Sequence, residues 1–312
     1  MRNLAIHELR DLYRNGDVSP RQVLDQVLSA IQADRMDNAW IRVLSRAELE
    51  AYLANLEKND PEAFPLYGIP FAIKDNIDLA GIATTAGCPA YSYVPEQSAF
   101  AVQRLVAAGA IPVGKTNLDQ FATGLVETRS PYGPCRNTFD SSFIAGGSSS
   151  GSASAVARNR VSFSLGTDTA GSGRVPAAFN NLVAAKPSRG LVSNTGVVPA
   201  CRTLDCMAVF AGQACDAQDV LNVIQAYDPE DPYARAPEAP PHGHGRIPEE
   251  GFRFGVPPRE QMTFFGDTAY EACFDRAVAS LKAIGGEPVT IDFTPFRQAG
   301  ELLYEGPWVA ER

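Results

Sequence analysis

The stretch that most constrains the fold is residues 146–178, with the sequence GGSSSGSASAVARNRVSFSLGTDTAGSGRVPAA. It is rich in Gly, Ser and Ala, but its embedded Asp, Arg and Pro and its apolar run are not those of a flexible linker. Val161 to Leu165 predicts a short buried strand, and Ser149 to Ala157 predicts a small-residue helix before it. Ser148 and Ser172 therefore fall in two turns that flank one helix–strand unit.

Apolar runs of strand length alternate with helical patterns along the rest of the chain. Ile69 to Ile73 predicts a strand that ends at Lys74, and a helix over about 99–108 leads to a strand from Ile111 to Gly114. Near the start, Ser19 with Pro20 predicts a helix N-terminus. This alternation of strand and helix patterns predicts an α/β fold with a central, mostly parallel or mixed sheet covered by helices.

We expect a single domain over residues 1–312, divided by composition into four segments. These are N-terminal helices in 1–60, a catalytic core in 66–215, a Pro-rich exposed excursion in 228–251 and a later core segment in 252–312. Gly306 and Pro307 predict a helix start about one turn before the last residue. We therefore expect the domain to be incomplete at its C-terminus.

Composition excludes several classes of function. A net charge of −9 is unlike the basic face of a nucleic-acid binder, so no DNA or RNA partner is expected. No uninterrupted apolar window reaches membrane-spanning length, which predicts neither a signal peptide nor a membrane span. The six cysteines show no CxxC pair, which predicts reduced thiols in the cytoplasm and no bound metal. His242 and His244 could bind a metal weakly, but a solvated loop is the expected state of that pair.

Three chemistries that use glycine-rich turns can be tested on the central stretch. A phosphate-binding Walker loop fails because Ser152 stands where its lysine is required, and a dinucleotide fingerprint fails because Pro176 stands where a glycine is required. A Ser-His-Asp triad is poorly supported, since Ser172 lacks the GxSxG context and the chain has only three histidines. A nucleophilic Ser172 would need a different base.

Lys74 is unusual because it directly follows a buried strand. Taken alone, it is most simply interpreted as a lysine that reaches water or pairs with Asp75. It can act as a base only in its neutral form, which burial would favour by penalising the ammonium.

The two glycine–serine turns together resemble the amidase signature family. The lysine context G-x-P-F-x-x-K-D is matched by the segment from Gly68 to Asp75. The resemblance implies that Ser172 is the nucleophile, that Ser148 is a bridging serine held by a cis peptide, and that Lys74 is the base of a Ser-Ser-Lys triad. It implies the amidase signature fold and an acyl-enzyme, without a cofactor.

The turn before the nucleophile suggests an oxyanion hole. Successive backbone N–H groups of Thr169, Ala170, Gly171 and Ser172 can close on a tetrahedral oxygen without obstruction by side chains. Asp168 and Arg174 bracket the turn, and we expect them to hold its shape by ion pairing.

Within the family, GVVPACRTLDCMAVFA and the terminal LLYEGPWVAER resemble allophanate hydrolases. That resemblance implies cleavage of the terminal amide of allophanate, a small anionic amide, during urea degradation. It implies that Gly124, Tyr304 and Arg312 contact the substrate, and it implies a functional link to urea carboxylase and a homodimer. Because allophanate hydrolases are longer, we expect weak or no activity from this chain by itself.

Two alternatives stay open from the sequence. One is another amidase, such as a glutaminase-like subunit of a tRNA-dependent amidotransferase or an aliphatic amidase. The other is an inactive fragment that keeps the fold.

Overall fold

The structure is a computed structural model that describes residues 3–34, 37–235 and 250–311. The described residues form two compact units, one ending at residue 235 and the other beginning at residue 250. His242, His244, Arg312 and most of the Pro-rich segment lie outside the described residues.

The first unit combines helices with a six-stranded sheet. Its helices are α1 (Ile6–Arg14), α2 (Pro20–Ala33), α3 (Arg46–Leu56), α4 (Phe100–Ala107), α5 (Ser150–Ala157), α6 (Arg174–Phe179) and α7 (Ala214–Ile224). Its strands are β1 (Trp40–Val43), β2 (Pro70–Lys74), β3 (Ile111–Thr116), β4 (Phe163–Thr167), β5 (Val183–Ala185) and β6 (Met207–Ala211).

The sheet is mixed, with the strand order β1-β3-β2-β4-β6-β5. The three central strands β3, β2 and β4 are parallel, whereas β1, β6 and β5 run antiparallel to their neighbours. Residues of β2, β3 and β4 are buried throughout, as expected for parallel strands covered on both faces. The prediction of a central mixed sheet flanked by helices is confirmed.

Local sequence signals fix several boundaries. Ser19 and Ser45 each form a capping box at the start of α2 and α3, and Pro20 occupies the first position of α2. Strand β4 begins at Phe163, two residues after the predicted start, where pairing with Phe71 of β2 begins. The two phenyl rings stack with centroids 5.1 Å apart, which helps to fix the register between the strands.

The second unit contains a parallel pair of strands, β7 (Phe252–Val256) and β8 (Gly286–Thr290), joined through α8 (Thr268–Ala283). The helices α9 (Thr294–Glu305) and α10 (Trp308–Glu311) follow. Asp267 caps α8 by accepting a hydrogen bond from the Tyr270 N–H at 2.8 Å.

No helix in the described part of the chain is both long enough and apolar enough to cross a membrane.

Candidate active site

Lys74 and Thr167 meet because two parallel strands end at one edge of the sheet. They are the last residues of the neighbouring strands β2 and β4. Lys74 Nζ donates to Thr167 Oγ1 at 2.8 Å, although the two residues are 93 positions apart in sequence. The sheet topology therefore presents a strand-end hydroxyl to the amine.

The Lys74 amine is enclosed by the protein. The side chain has no exposed surface, and Nζ lies 2.8 Å from Ser148 Oγ. Asp75 does not pair with it; the Asp75 carboxylate forms an ion pair with the buried Lys115, with Oδ1 and Nζ 3.0 Å apart. The interpretation of Lys74 as a solvated or Asp75-paired lysine is therefore wrong.

Burial changes the protonation of Lys74. Loss of hydration lowers the pKa of its amine from 10.5 to about 7, against the opposing influence of nearby carboxylates, of which Asp119 and Glu127 are the strongest. At neutral pH a large share of Lys74 is the free amine, which can accept a proton from a hydroxyl.

Small residues let the Ser148 turn pack directly on the sheet. Seven residues of α5 are buried, because the small side chains of this helix let it pack closely on its surroundings. Ser149 Oγ donates to Thr167 O at 3.1 Å and accepts from Thr167 N at 3.3 Å, which ties the turn to the end of β4. The peptide between Gly147 and Ser148 is cis, as the family resemblance implies.

Ser172 lies in the second turn and is 3% exposed. Its carbonyl accepts a hydrogen bond from Ser149 N at 3.3 Å, so the two serine turns are joined through the backbone. Within the described residues its hydroxyl forms no hydrogen bond. Hydrogen bonds of catalytic groups are often long or unformed without substrate.

The predicted ion pair between Asp168 and Arg174, which lie on either side of this turn, is confirmed. Asp168 Oδ2 accepts from the Arg174 N–H at 3.0 Å and from Arg174 Nε at 2.9 Å. Its Oδ1 accepts from Arg174 Nη2 at 2.9 Å and from Gly171 N at 2.8 Å. Burial opposes ionisation of Asp168, but these hydrogen bonds outweigh it and hold the pKa of the carboxyl below its usual value.

The four predicted oxyanion donors divide into two kinds. The Gly171 N–H already donates to Asp168, while the N–H groups of Thr169, Ala170 and Ser172 have no acceptor in the described part of the protein. Thr169 is also held by its side chain, which donates to the buried Asp205. The turn therefore presents three unengaged donors in a fixed loop.

The predicted substrate contacts are distributed over the chain. Gly124 has φ +153°, and a Cβ there would lie 2.6 Å from Asp119 Oδ2. Tyr304 lies on α9 of the second unit, where it is 69% exposed. Arg312 lies outside the described residues, so its role stays a prediction, as does that of Tyr304.

The sequence analysis missed three buried groups that act on the Lys74 amine, Thr167 by a hydrogen bond and Asp119 and Glu127 by their charge. Like Lys74, Thr167 lies at the end of a buried strand. That position is a signal from which Thr167 could have been predicted, because the ends of parallel strands meet at one edge of a sheet. Asp119 and Glu127 follow β3 in an irregular segment, and nothing in the local pattern shows that their charges act on the amine.

Among the described residues, one group of potential metal ligands involves none of these side chains. His7, Cys215 and Asp216 bring their ligand atoms within 4.8 Å of one another. Asp216 Oδ2 already accepts from Ile6 N at 3.1 Å, which gives this carboxylate a structural role at the start of α1.

Comparison with known proteins identifies similar sequences over nearly the whole chain. The Amidase family profile matches residues 22–312. A urea amidolyase from Saccharomyces cerevisiae is 44% identical over 293 residues, which cover 93% of this chain and 16% of that protein. A glutamyl-tRNA(Gln) amidotransferase polypeptide from Deinococcus deserti is 39% identical over 274 residues, which cover 86% of this chain and 55% of that protein.

Solved structures agree with the sequence matches. The allophanate hydrolase of Kluyveromyces lactis superposes with a TM-score of 0.88 at 44% identity, covering 96% of this chain and 49% of that one. The chain thus spans about half the length of this solved relative and a smaller part of the urea amidolyase.

Proposed function

The chain belongs to the amidase signature family, and on that premise we propose that it is an amide hydrolase of the allophanate hydrolase type. It cleaves the terminal amide of allophanate (urea-1-carboxylate) and releases ammonia. The observation that carries the proposal is the buried Lys74 amine, 2.8 Å from Ser148 Oγ and with its pKa lowered to about 7 by burial.

The proton path follows from the chemistry of the three groups. The Lys74 amine accepts the Ser148 hydroxyl proton, and Ser148 accepts the proton of Ser172 as Ser172 Oγ attacks the amide carbon. The same path returns a proton to the departing nitrogen, so ammonia leaves and an acyl-Ser172 ester remains. Water then attacks the ester with the amine again acting as base, which releases the acid and restores Ser172.

The oxyanion forms beside the Ser172 turn. We assign the hydrogen bonds to the oxyanion to the N–H groups of Thr169, Ala170 and Ser172, because these groups have no other acceptor in the part of the chain described. Gly171 contributes indirectly, since its bond to Asp168 fixes the turn. Loss of one such donor typically lowers the rate by about 10²- to 10³-fold.

Substrate recognition is assigned to residues outside the triad. Gly124 lines the site through its backbone, and Tyr304 and Arg312 bind the substrate carboxylate by a phenol hydroxyl and a guanidinium fork. A supply of allophanate by a urea carboxylase fits the similarity to proteins named urea amidolyase. The protein acts in the cytoplasm as a homodimer in this proposal.

A second candidate activity is glutamine hydrolysis, because the glutamyl-tRNA(Gln) amidotransferase polypeptides are also similar over most of the chain. An ammonia-release assay with allophanate, glutamine and short aliphatic amides separates the two. Preferential turnover of allophanate supports the proposal, whereas preferential turnover of glutamine contradicts it.

Labelling by a fluorophosphonate tests the nucleophile without any assumption about the substrate. We expect a stoichiometric adduct on Ser172 that is lost in Ser172→Ala and strongly slowed in Lys74→Ala. Lys58→Ala, which removes an exposed lysine, is the matched control and should label like the parent. An inactive protein that keeps the fold would show no adduct in any of them.

A further inference from the structure

A buried carboxyl group that the proposed reaction does not use lies against the turn of the oxyanion donors. Asp205 is 3% exposed. Its Oδ1 accepts a hydrogen bond from the hydroxyl of Thr169, whose N–H has no acceptor in the described part of the protein. A hydrogen bond from a hydroxyl to a carboxyl group is among the stronger ones and fixes the side chain of the donor. The contact therefore constrains one residue of the turn from outside the turn.

The register of the sheet explains why these two residues meet. Strands β4 and β6 are antiparallel, and Thr167 of β4 is paired with Met207 of β6. One position further, Asp168 N donates to Cys206 O at 2.8 Å, so the pairing continues past both strands. The next position places the threonine and the aspartate opposite each other, where the Cβ atoms of paired residues are about 5 Å apart. The contact is thus a consequence of the sheet topology.

The Asp205 carboxyl is held in place by the turn that precedes it. Its Oδ2 accepts from Ala200 N at 3.0 Å, and its Oδ1 accepts from Cys201 N at 3.0 Å. Asp205 N donates to Cys201 O at 2.8 Å, which closes the turn. Together with the bond from Thr169, these contacts engage both carboxyl oxygens. A carboxyl group with both oxygens engaged has little freedom to rotate, so it is a fixed acceptor.

The segment that carries Asp205 is also attached to the chain that follows Lys74. Asn76 comes two residues after the lysine, and its backbone O accepts from Val198 N at 2.8 Å. The Asn76 side chain donates through Nδ2 to Val198 O at 3.1 Å. Residues 198–205 therefore contact both the chain next to the lysine and the turn of the oxyanion donors. Such supporting contacts keep a catalytic group in its productive geometry.

Two different acids hold the turn of the oxyanion donors. Asp168 accepts from Gly171 N at 2.8 Å, which fixes the later part of the turn. Asp205 binds the side chain of Thr169, which fixes the earlier part. Hydrogen-bond donors stabilise an oxyanion most when they already point at its position before the reaction begins.

We propose that Asp205 is a positioning residue for the oxyanion hole, which acts through the Thr169 hydroxyl and fixes the direction of the Thr169 N–H. The proposal rests on the amide hydrolase function proposed above. Asp205 touches no substrate and transfers no proton. Loss of its contact with Thr169 slows the step in which the oxyanion forms and leaves the binding of substrate unchanged.

Substitutions at Thr169 test the contact with little change to the fold. Thr169→Val removes the hydroxyl at nearly constant volume and should lower both kcat for allophanate and the rate of fluorophosphonate labelling about tenfold. The KM should stay within about twofold of the parent value, because the contact acts on the transition state. Thr169→Ser keeps the hydroxyl and should restore both rates to within about threefold. Thr290→Val removes an exposed hydroxyl of the second unit and is the matched control, which should equal the parent.

Asp205→Asn tests the acceptor. An amide has one accepting oxygen, whereas the three donors bind both oxygens of the carboxyl, so at least one hydrogen bond is lost. We expect slower labelling in this variant as well. If the two residues act through one contact, the double variant with Thr169→Val should label within about threefold of the slower single variant. Losses that multiply in the double variant would show independent effects and overturn the proposal.

The rates are measured well below the thermal unfolding midpoint of each variant, so that loss of folded protein does not imitate loss of rate. Rates equal to the parent's in Thr169→Val overturn the proposal. A loss confined to KM, or one that Thr169→Ser does not restore, overturns it as well. If Asp205→Asn fails to fold, the two Thr169 variants decide alone.

The experiment also distinguishes this role of Asp205 from the proposed function, because labelling does not depend on the substrate. Labelling that is slowed in Thr169→Val and restored in Thr169→Ser, without turnover of allophanate by the parent, refutes the substrate and keeps the positioning role. Turnover of allophanate at the parent rate in Thr169→Val refutes the positioning role and keeps the substrate.

Discussion

The pH dependence of Ser172 reactivity follows quantitatively from the burial of Lys74. With a pKa of about 7, the neutral amine makes up about a tenth of the lysine at pH 6, about half at pH 7 and about nine tenths at pH 8. An ordinary lysine, with a pKa of 10.5, would be neutral in only about 0.03% of molecules at pH 7. Burial therefore enlarges the reactive population on the order of 10³-fold.

The assay is the second-order rate of fluorophosphonate labelling between about pH 5.5 and pH 9, repeated as kcat/KM for ammonia release. We expect a rise of about tenfold per pH unit below the midpoint, a midpoint near 7 and a plateau above about pH 8. The sign follows from the chemistry, since the base must lose its proton to act.

Two variants control this measurement. Lys74→Ala should label slowly, and its rate should lack the rise that ends near pH 7. Lys58→Ala should reproduce the pH profile of the parent. A rate that keeps rising about tenfold per unit through pH 9 would show an amine with an ordinary pKa and would refute the reasoning.

Four residues of the site are tested by substitution. Ser172→Ala should abolish labelling and lower kcat/KM by about 10⁴-fold or more, with the thermal unfolding midpoint little changed as the control for folding. Thr167→Val removes the hydroxyl that accepts from the lysine amine and should lower kcat/KM about tenfold, while Thr167→Ser should restore most of it. Gly124→Ala should lower the unfolding free energy in urea by about 1–3 kcal/mol, because its φ is +153° and a Cβ would approach a carboxylate oxygen; no loss would contradict the backbone geometry. Arg174→Met should cost about 1–3 kcal/mol at pH 7, since it removes a partly exposed partner of buried Asp168. Because the pKa of Asp168 is lowered on folding, that cost should shrink as pH falls from about 5 to 3, and a constant cost would argue against the ion pair.

The sequence was most informative where the signal was local. The capping serine at 19 starts its helix as predicted, because a cap depends on residues three positions apart. The ion pair between Asp168 and Arg174 formed as predicted, because the two residues lie on either side of one turn. Strand β6 (Met207–Ala211) was not predicted as a strand, although it pairs with both β4 and β5. A short apolar run carries no information on where it will pair.

The sequence by itself determined which residue types stand at the strand end and in the two serine turns, and through them the family. Only the tertiary structure decided the environment of the lysine, which has no exposed surface and receives a threonine from 93 positions away at its amine. It also decided that the charges of two buried acids act on that amine. The physical reason is that helix caps and turns depend on neighbours along the chain, whereas hydration and Coulomb interactions depend on distance in space. The charge on Lys74 is therefore a property of the folded sheet edge and not of the segment that contains it.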